Sequence, residues 1–258
     1  MAAHPCRSGR PFRAAEAIEV LGGVWAGQVE SVRVDVLARR VTLSIVVVDG
    51  SRPAGAEVSA HQVVFHDVSS FRWFDSVEGP WLRVEAAEIY AERVAGRHRV
   101  SVWLNDDDNQ LVIDAAEVTL DGVAVLPRDP AAADPAPAPS PGGAPDPLPG
   151  ALTDLWGGRF ESVHLDLPSK RASLSLLVEP GDDDPDADLV PHLLILQEVS
   201  DLRLLSDGGR LHGEAFIDEI RGRADGDGYR FDFVFESTGD RLGVHCASAM
   251  ADFARITL

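Results

Sequence analysis

Valines at 32, 34 and 36 alternate with Arg33 and Asp35, and after a short polar break Val41, Leu43, Ile45 and Val47 alternate with Thr42 and Ser44. An apolar residue at every second position is what a half-buried strand needs, because successive side chains leave opposite faces of a pleated backbone. Further strand-like runs follow at 61–68, 70–74, 86–94, 99–104 and 111–120, separated by the turns SVEGP, AGRH and NDDDN. The stretch 81–93 admits a helical reading as well, with Leu82, Ala86, Ile89 and Arg93 on one side. A strand is the better reading, since the related segment near 214–223 carries Gly213 and Gly222 and no helical stripe. Later strands are expected in 229–236, 241–250 and 253–258.

The pattern recurs. WGGRFESVHLDLPSKRASLSLLV, from Trp156 to Val178, is a near copy of WAGQVESVRVDVLARRVTLSIVV, from Trp25 to Val47, at an offset of 131 residues. The same offset pairs His61 with His192, Val68 with Val199, Ser69 with Ser200 and Arg72 with Arg203. Self-similarity at one fixed offset without gaps implies an internal duplication. The expected organisation is a tail over 1–23, with a short helix possible from Phe12 to Leu21, then β repeats over 24–127 and 151–258. Residues 128–150 form a Pro/Ala-rich linker, semi-rigid because proline favours extended conformations. With six or seven short strands per repeat, the expected fold class is all-β: two homologous antiparallel β-sandwich or open-barrel-like domains in tandem. A pseudo-twofold contact between them is expected, with Trp25 and Trp156 as equivalent core plugs.

The chain has 42 acidic and 23 basic residues, a formal net charge of −19, and Lys170 is its single lysine. Such a surface repels nucleic acid and anionic membranes and favours a cationic partner. No apolar run reaches the roughly 20 residues of a spanning helix, and no signal-peptide core is present, which points to the cytoplasm. Cys6 and Cys246 are too few for a disulfide framework and are expected to stay reduced.

Candidate chemistry is sparse. Glu30-Ser31 and Glu161-Ser162 invite a base and nucleophile reading, but neighbours in a strand face opposite ways, so no catalytic residue is assigned. His61, His66 and Asp67 correspond to His192, Gln197 and Glu198, a change that a shared metal site would not survive, while His245 and Cys246 face opposite sides of a strand even if His212 approaches. The acidic run Asp182 to Asp188 lacks the glycine and glutamate of a calcium loop. No metal and no cofactor are expected. Phe71, Trp73 and Phe74 match Leu202, Leu204 and Leu205, an apolar correspondence that core packing explains. An aromatic-lined pocket in the first repeat is the other possibility, with Trp73, Trp81, Tyr90 and Trp103 as walls and Glu85, Glu88 and His98 as polar groups.

The start W-x-G-x-F-E-S-V, the middle HLLILQEVSDLRLL (192–205) and the end YRFDFVFES-x-G-D-R-L (229–242) resemble the small bacterial β domains called YxiG-like. They are similar, more distantly, to immunity proteins of polymorphic-toxin systems. Those immunity proteins tend to carry His-Asp where this chain has Glu-Ser, and this chain holds two copies of the pattern. The resemblance and the charge together imply a non-enzymatic binding or immunity-like protein whose acidic β surface engages a protein partner. A small-molecule-binding protein or a cofactor-free cyclase or isomerase, using the aromatic pocket, is the alternative.

Overall fold

A computed structural model describes residues 21–24, 26–49, 57–75, 80–105, 109–129, 152, 155–179, 189–206, 215–236, 240–252 and 254–256. The N-terminal segment expected to be helical, apart from Leu21, the linker beyond Asp129, Trp25, His212 and the acidic run from Asp182 lie outside them. The described chain is all-β and antiparallel. Its strands are β1 (Gln28–Asp35), β2 (Arg40–Asp49), β3 (Glu57–His66), β4 (Ser70–Phe74), β5 (Ala86–Val94), β6 (Arg97–Leu104), β7 (Gln110–Ala115), β8 (Glu117–Leu120) and β9 (Val123–Leu126). After the linker come β10 (Arg159–Asp166), β11 (Arg171–Val178), β12 (Val190–Gln197), β13 (Asp201–Leu205), β14 (Ala215–Asp225), β15 (Gly228–Phe235), β16 (Arg241–Cys246), β17 (Ser248–Ala251) and β18 (Ala254–Ile256). The strands are more numerous than the sequence pattern suggests, because single residues such as Ala116 and Ala247 break what reads as one apolar run.

All 18 strands form one folded-over sheet. One run of pairings proceeds β9-β8-β3-β2-β1-β10-β11-β12-β17-β18, and the other β5-β6-β7-β4-β13-β16-β15-β14. The runs connect where β10 also pairs with β14 and where Gln28 bridges Glu85. Chain corners at Asp67–Ser69 and at Ala116 carry the backbone from one run to the other with almost no loop, and Asp67 takes φ 51° to make its turn.

Alternation then does the packing. Val32, Val34, Leu43, Ile45, Val63 and Phe65 from the first run, and Phe71, Trp73, Val100, Val102, Leu111 and Ile113 from the second, are buried in one continuous core that extends through Val163, Leu174, Leu202, Phe231 and Val244. Burying each such side chain contributes about 1.5–3 kcal/mol, which is why the valine and leucine positions dictate register. The first and second parts of the chain meet twice by strand pairing. Val32 to Val34 of β1 pair with Val163 to Leu165 of β10, and β4 pairs with β13, where Trp73 lies opposite Leu202 and Arg72 opposite Arg203.

Three expectations need correction. Trp156 is 62% exposed and donates its indole N–H to the Asp218 carbonyl at 2.6 Å, so it is no core plug; Leu152 and Leu155 fill the interior beside it. Phe74 and Leu205 are not core residues either, since alternation along β4 and β13 turns them outward, 37% and 39% exposed. Glu30 and Ser31 do not lie on opposite faces: the register of β1 against β2 slips between Val29 and Ser31, and this bulge sets two successive polar residues between buried Val29 and Val32. Cys246 is buried, and loss of water pushes its thiol up to about 12, so it is an inert packing group. Among the described residues, no helix is long and apolar enough to cross a membrane.

Candidate functional site

The seven residues expected to line an aromatic pocket do not surround one space. Trp73 is fully buried in β4. Trp81, before β5, is 9% exposed; its backbone N–H donates to the Pro168 carbonyl at 2.9 Å, and the Lys170 ammonium sits 5.4 Å from its ring. His98 is buried on the inner side of β6, with Nε2 3.0 Å from the Pro127 carbonyl. Glu88, Tyr90 and Trp103 face outward from β5 and β6, Glu88 lying opposite Trp103 and accepting a hydrogen bond from the Tyr90 hydroxyl. Glu85 pairs with Arg83 at 2.5 Å. The reason is the period of the strand. Tyr90 and Trp103 have the opposite parity to Ala91 and Val102, which point into the core.

An open groove of about 860 Å³ lies elsewhere, against β2, β3 and the β8–β9 turn, with Arg40, Ser44, Gln62, His66, Thr119 and Asp121 in its wall. At its edge runs a set of polar contacts along β3. Leu120 pairs with Val123, so Asp121 and Gly122 form a two-residue hairpin turn, with φ 50° and 80°. Aspartate followed by glycine suits that turn because both residues tolerate the left-handed region. The turn is fixed to β3 by three bonds. Asp121 N–H donates to the Gln62 carbonyl at 2.9 Å, Gln62 N–H donates to Asp121 Oδ1 at 2.8 Å, and His61 Nδ1 lies 2.7 Å from Asp121 Oδ2.

The other ring nitrogen is also engaged. Ser59 Oγ lies 2.8 Å from His61 Nε2, on the same strand two residues earlier. The Gln62 N–H, followed by the His61 ring, holds the Asp121 carboxyl below the usual aspartate range, so it stays an anion that accepts a hydrogen bond from Nδ1–H. That acceptance fixes the tautomer. Nε2 is left with its lone pair, which accepts a hydrogen bond from the Ser59 hydroxyl. The result is a serine–histidine–aspartate relay, half-buried at Ser59 and His61.

The same clasp without its serine occurs on β12. His192 Nδ1 is 2.5 Å from Asp252 Oδ2, and Leu193 N–H donates to Asp252 Oδ1 at 2.9 Å, but Val190 stands two residues before His192. Burial raises the Asp252 carboxyl, yet the Leu193 N–H and His192 outweigh it and the net shift is downward. A second serine–histidine contact, Ser200 Oγ to His245 Nδ1 at 2.7 Å, has only the Asp225 backbone carbonyl on the far nitrogen. Among the described residues, no group of three or more His, Cys, Asp or Glu could hold a metal ion. Asp121 and Asp252 are 131 positions apart, like His61 and His192, so the offset held a signal of the clasp that the reading of the histidines alone did not use. Ser59 left no such trace.

No family model, curated protein or solved structure matches this chain.

Proposed function

We propose that this chain is a binding protein built from two copies of one β unit, residues 24–127 and 151–258, which covers a cationic protein partner with a continuous acidic surface. The observation that carries the reading is the disposition of charge. Arginines across the sheet are tied into ion pairs with carboxylates: Arg40 with Asp35, Arg39 with Asp67, Arg99 with Asp114, Arg203 with Asp201, Arg221 with Glu219 and Arg230 with Asp232. With 42 acids against 23 bases, neutralising the arginines internally leaves a surplus of carboxylates for any partner to meet.

The duplication has its own support. Bulges follow Val29 and Phe160, the two clasps use residues at a single offset, and Arg33 pairs with His164 as Arg72 pairs with Arg203. In each of those cross-pairs a residue faces its own counterpart, as a pseudo-twofold axis between the units requires. The resemblance to YxiG-like and immunity-like domains points the same way, to a cytoplasmic protein that captures another protein. The cyclase or isomerase alternative loses its motivation, because Trp73 and Trp103 stand on opposite faces of their strands.

Cross-linking of the tagged chain in its host, followed by mass spectrometry, tests the reading. A recurrent basic partner is expected. Recovery of no protein above a tag-only control would count against it.

A further inference from the structure

Most polar groups on this molecule are absorbed by the fold: arginines close ion pairs, and the His–Asp clasps pin a hairpin turn. Ser59 is different. The β12 clasp is complete with Val190 in the matching position, so the fold has no need of a hydroxyl there. What the serine adds is chemical, because it completes the connectivity Oγ to Nε2, Nδ1 to carboxylate, at 2.8 Å and 2.7 Å. A serine becomes a nucleophile through such a base and orienting acid, wherever in the chain they come from.

We propose that Ser59 is a catalytic nucleophile, with His61 as its general base and Asp121 as the group that positions His61, acting on a small carboxylic ester. Ser59 and His61 share the strand parity of buried Val63 and Phe65 but are themselves only half-buried, and the relay meets the groove at its His61–Asp121 edge.

An oxyanion also needs donors, and the strand geometry supplies them. The N–H and C=O of Gln62 both point toward the β8–β9 turn. Direction alternates along a strand, so the N–H groups of Ala60 and Val58 point to that same side, where β3 pairs with β8 only over Val63–His66. The Ala60 N–H, directly after the nucleophile, is placed to receive the developing negative charge.

The step balances within these groups. Ser59 Oγ bonds to the acyl carbon as its proton passes to His61 Nε2. The tetrahedral intermediate collapses, the ester C–O bond breaks, and the Nε2 proton leaves with the alcohol. Water then attacks the acyl-serine, giving a proton to Nε2; release of the carboxylic acid returns that proton to Ser59 Oγ. Asp121 accepts the Nδ1 hydrogen bond throughout and does not change its protonation.

The test uses the full-length chain with a fluorophosphonate probe and with p-nitrophenyl acetate and butyrate. Expected are one phosphonylated residue, mapped to Ser59 by peptide mass spectrometry, and saturable hydrolysis. That hydrolysis should fall about 100-fold or more in Ser59→Val and substantially in Asp121→Asn. Ser59→Val reproduces the residue natural to the β12 clasp, so its circular dichroism should match the parent chain. Ser200→Ala should leave both readouts unchanged. Labelling at Ser200 or elsewhere overturns the proposal, as does hydrolysis that is unsaturable or equal in Ser59→Val, and as does the absence of both labelling and turnover. None of these outcomes bears on partner binding, which is measured separately.

Discussion

Lys170 Nζ lies 2.6 Å from Asp75 Oδ2, with the two side chains only 4% and 1% exposed, and it joins the β10–β11 turn to the end of β4. The chain's one lysine thus ties the late part of the sequence to the early part. Around it, Asp75 N–H donates to the Ser200 carbonyl and Ser206 N–H to the Ser69 carbonyl, both at 2.9 Å, and the Trp81 ring covers the ammonium.

Removing one member of such a pair leaves the other charge buried and uncompensated. Lys170→Met is therefore expected to lower stability by about 3 kcal/mol or more, whereas Lys170→Met with Asp75→Leu should recover most of that loss. Urea unfolding of the three proteins checks it. A single variant as stable as the parent, or a double variant as weak as the single, would contradict the pairing.

The two clasps make an acid-side prediction. Both Asp121 and Asp252 have folded pKa values below the value of about 3.9 for an unfolded aspartate. Their contribution is present above that unfolded value and is lost as pH falls through the folded one. Both carboxylates are about half exposed, so the effect is modest. Asp121→Asn with Asp252→Asn should melt below the parent chain at neutral pH, with the gap closing under acid below about pH 4. A constant gap across that range would contradict the clasp electrostatics.

His98 acts in a higher window. Burial lowers its folded pKa, opposed by the Pro127 carbonyl and aided by Arg93 and Arg97. The unfolded ring takes up its proton near pH 6.5 while the folded one resists, so stability is full above about 6.5 and declines as pH drops toward the folded value. His98→Gln, which can still donate to Pro127, should flatten the stability profile just below pH 6.5. A profile with the parent's slope there would contradict this placement of the proton.

Strand identity was legible because one-sided burial writes itself as period two, visible in Val32, Val34, Leu43 and Ile45. The depth of the aromatics was not. Phe74 and Leu205 are apolar, yet parity along β4 and β13 turns them outward, and an indole such as Trp156 can rest on the surface with its N–H satisfied. Bulges were invisible for a related reason: they shift parity by one residue, as at Glu30, without changing composition. The relay escaped because Asp121 is 60 residues from His61 in the chain, and only the pairing of β3 with β8 brings the Asp121 turn to His61.

The central claim is that excess carboxylate draws a cationic protein onto this surface. The direct measurement is capture of a partner from a host extract by the immobilised chain, followed by affinity of that purified partner at rising salt. The account predicts a defined protein with a basic contact surface, retained at low salt and progressively weakened as ionic strength rises, since exposed charge attraction is screened. A partner bound equally well at low and moderate salt, or no specific partner at either, would contradict it.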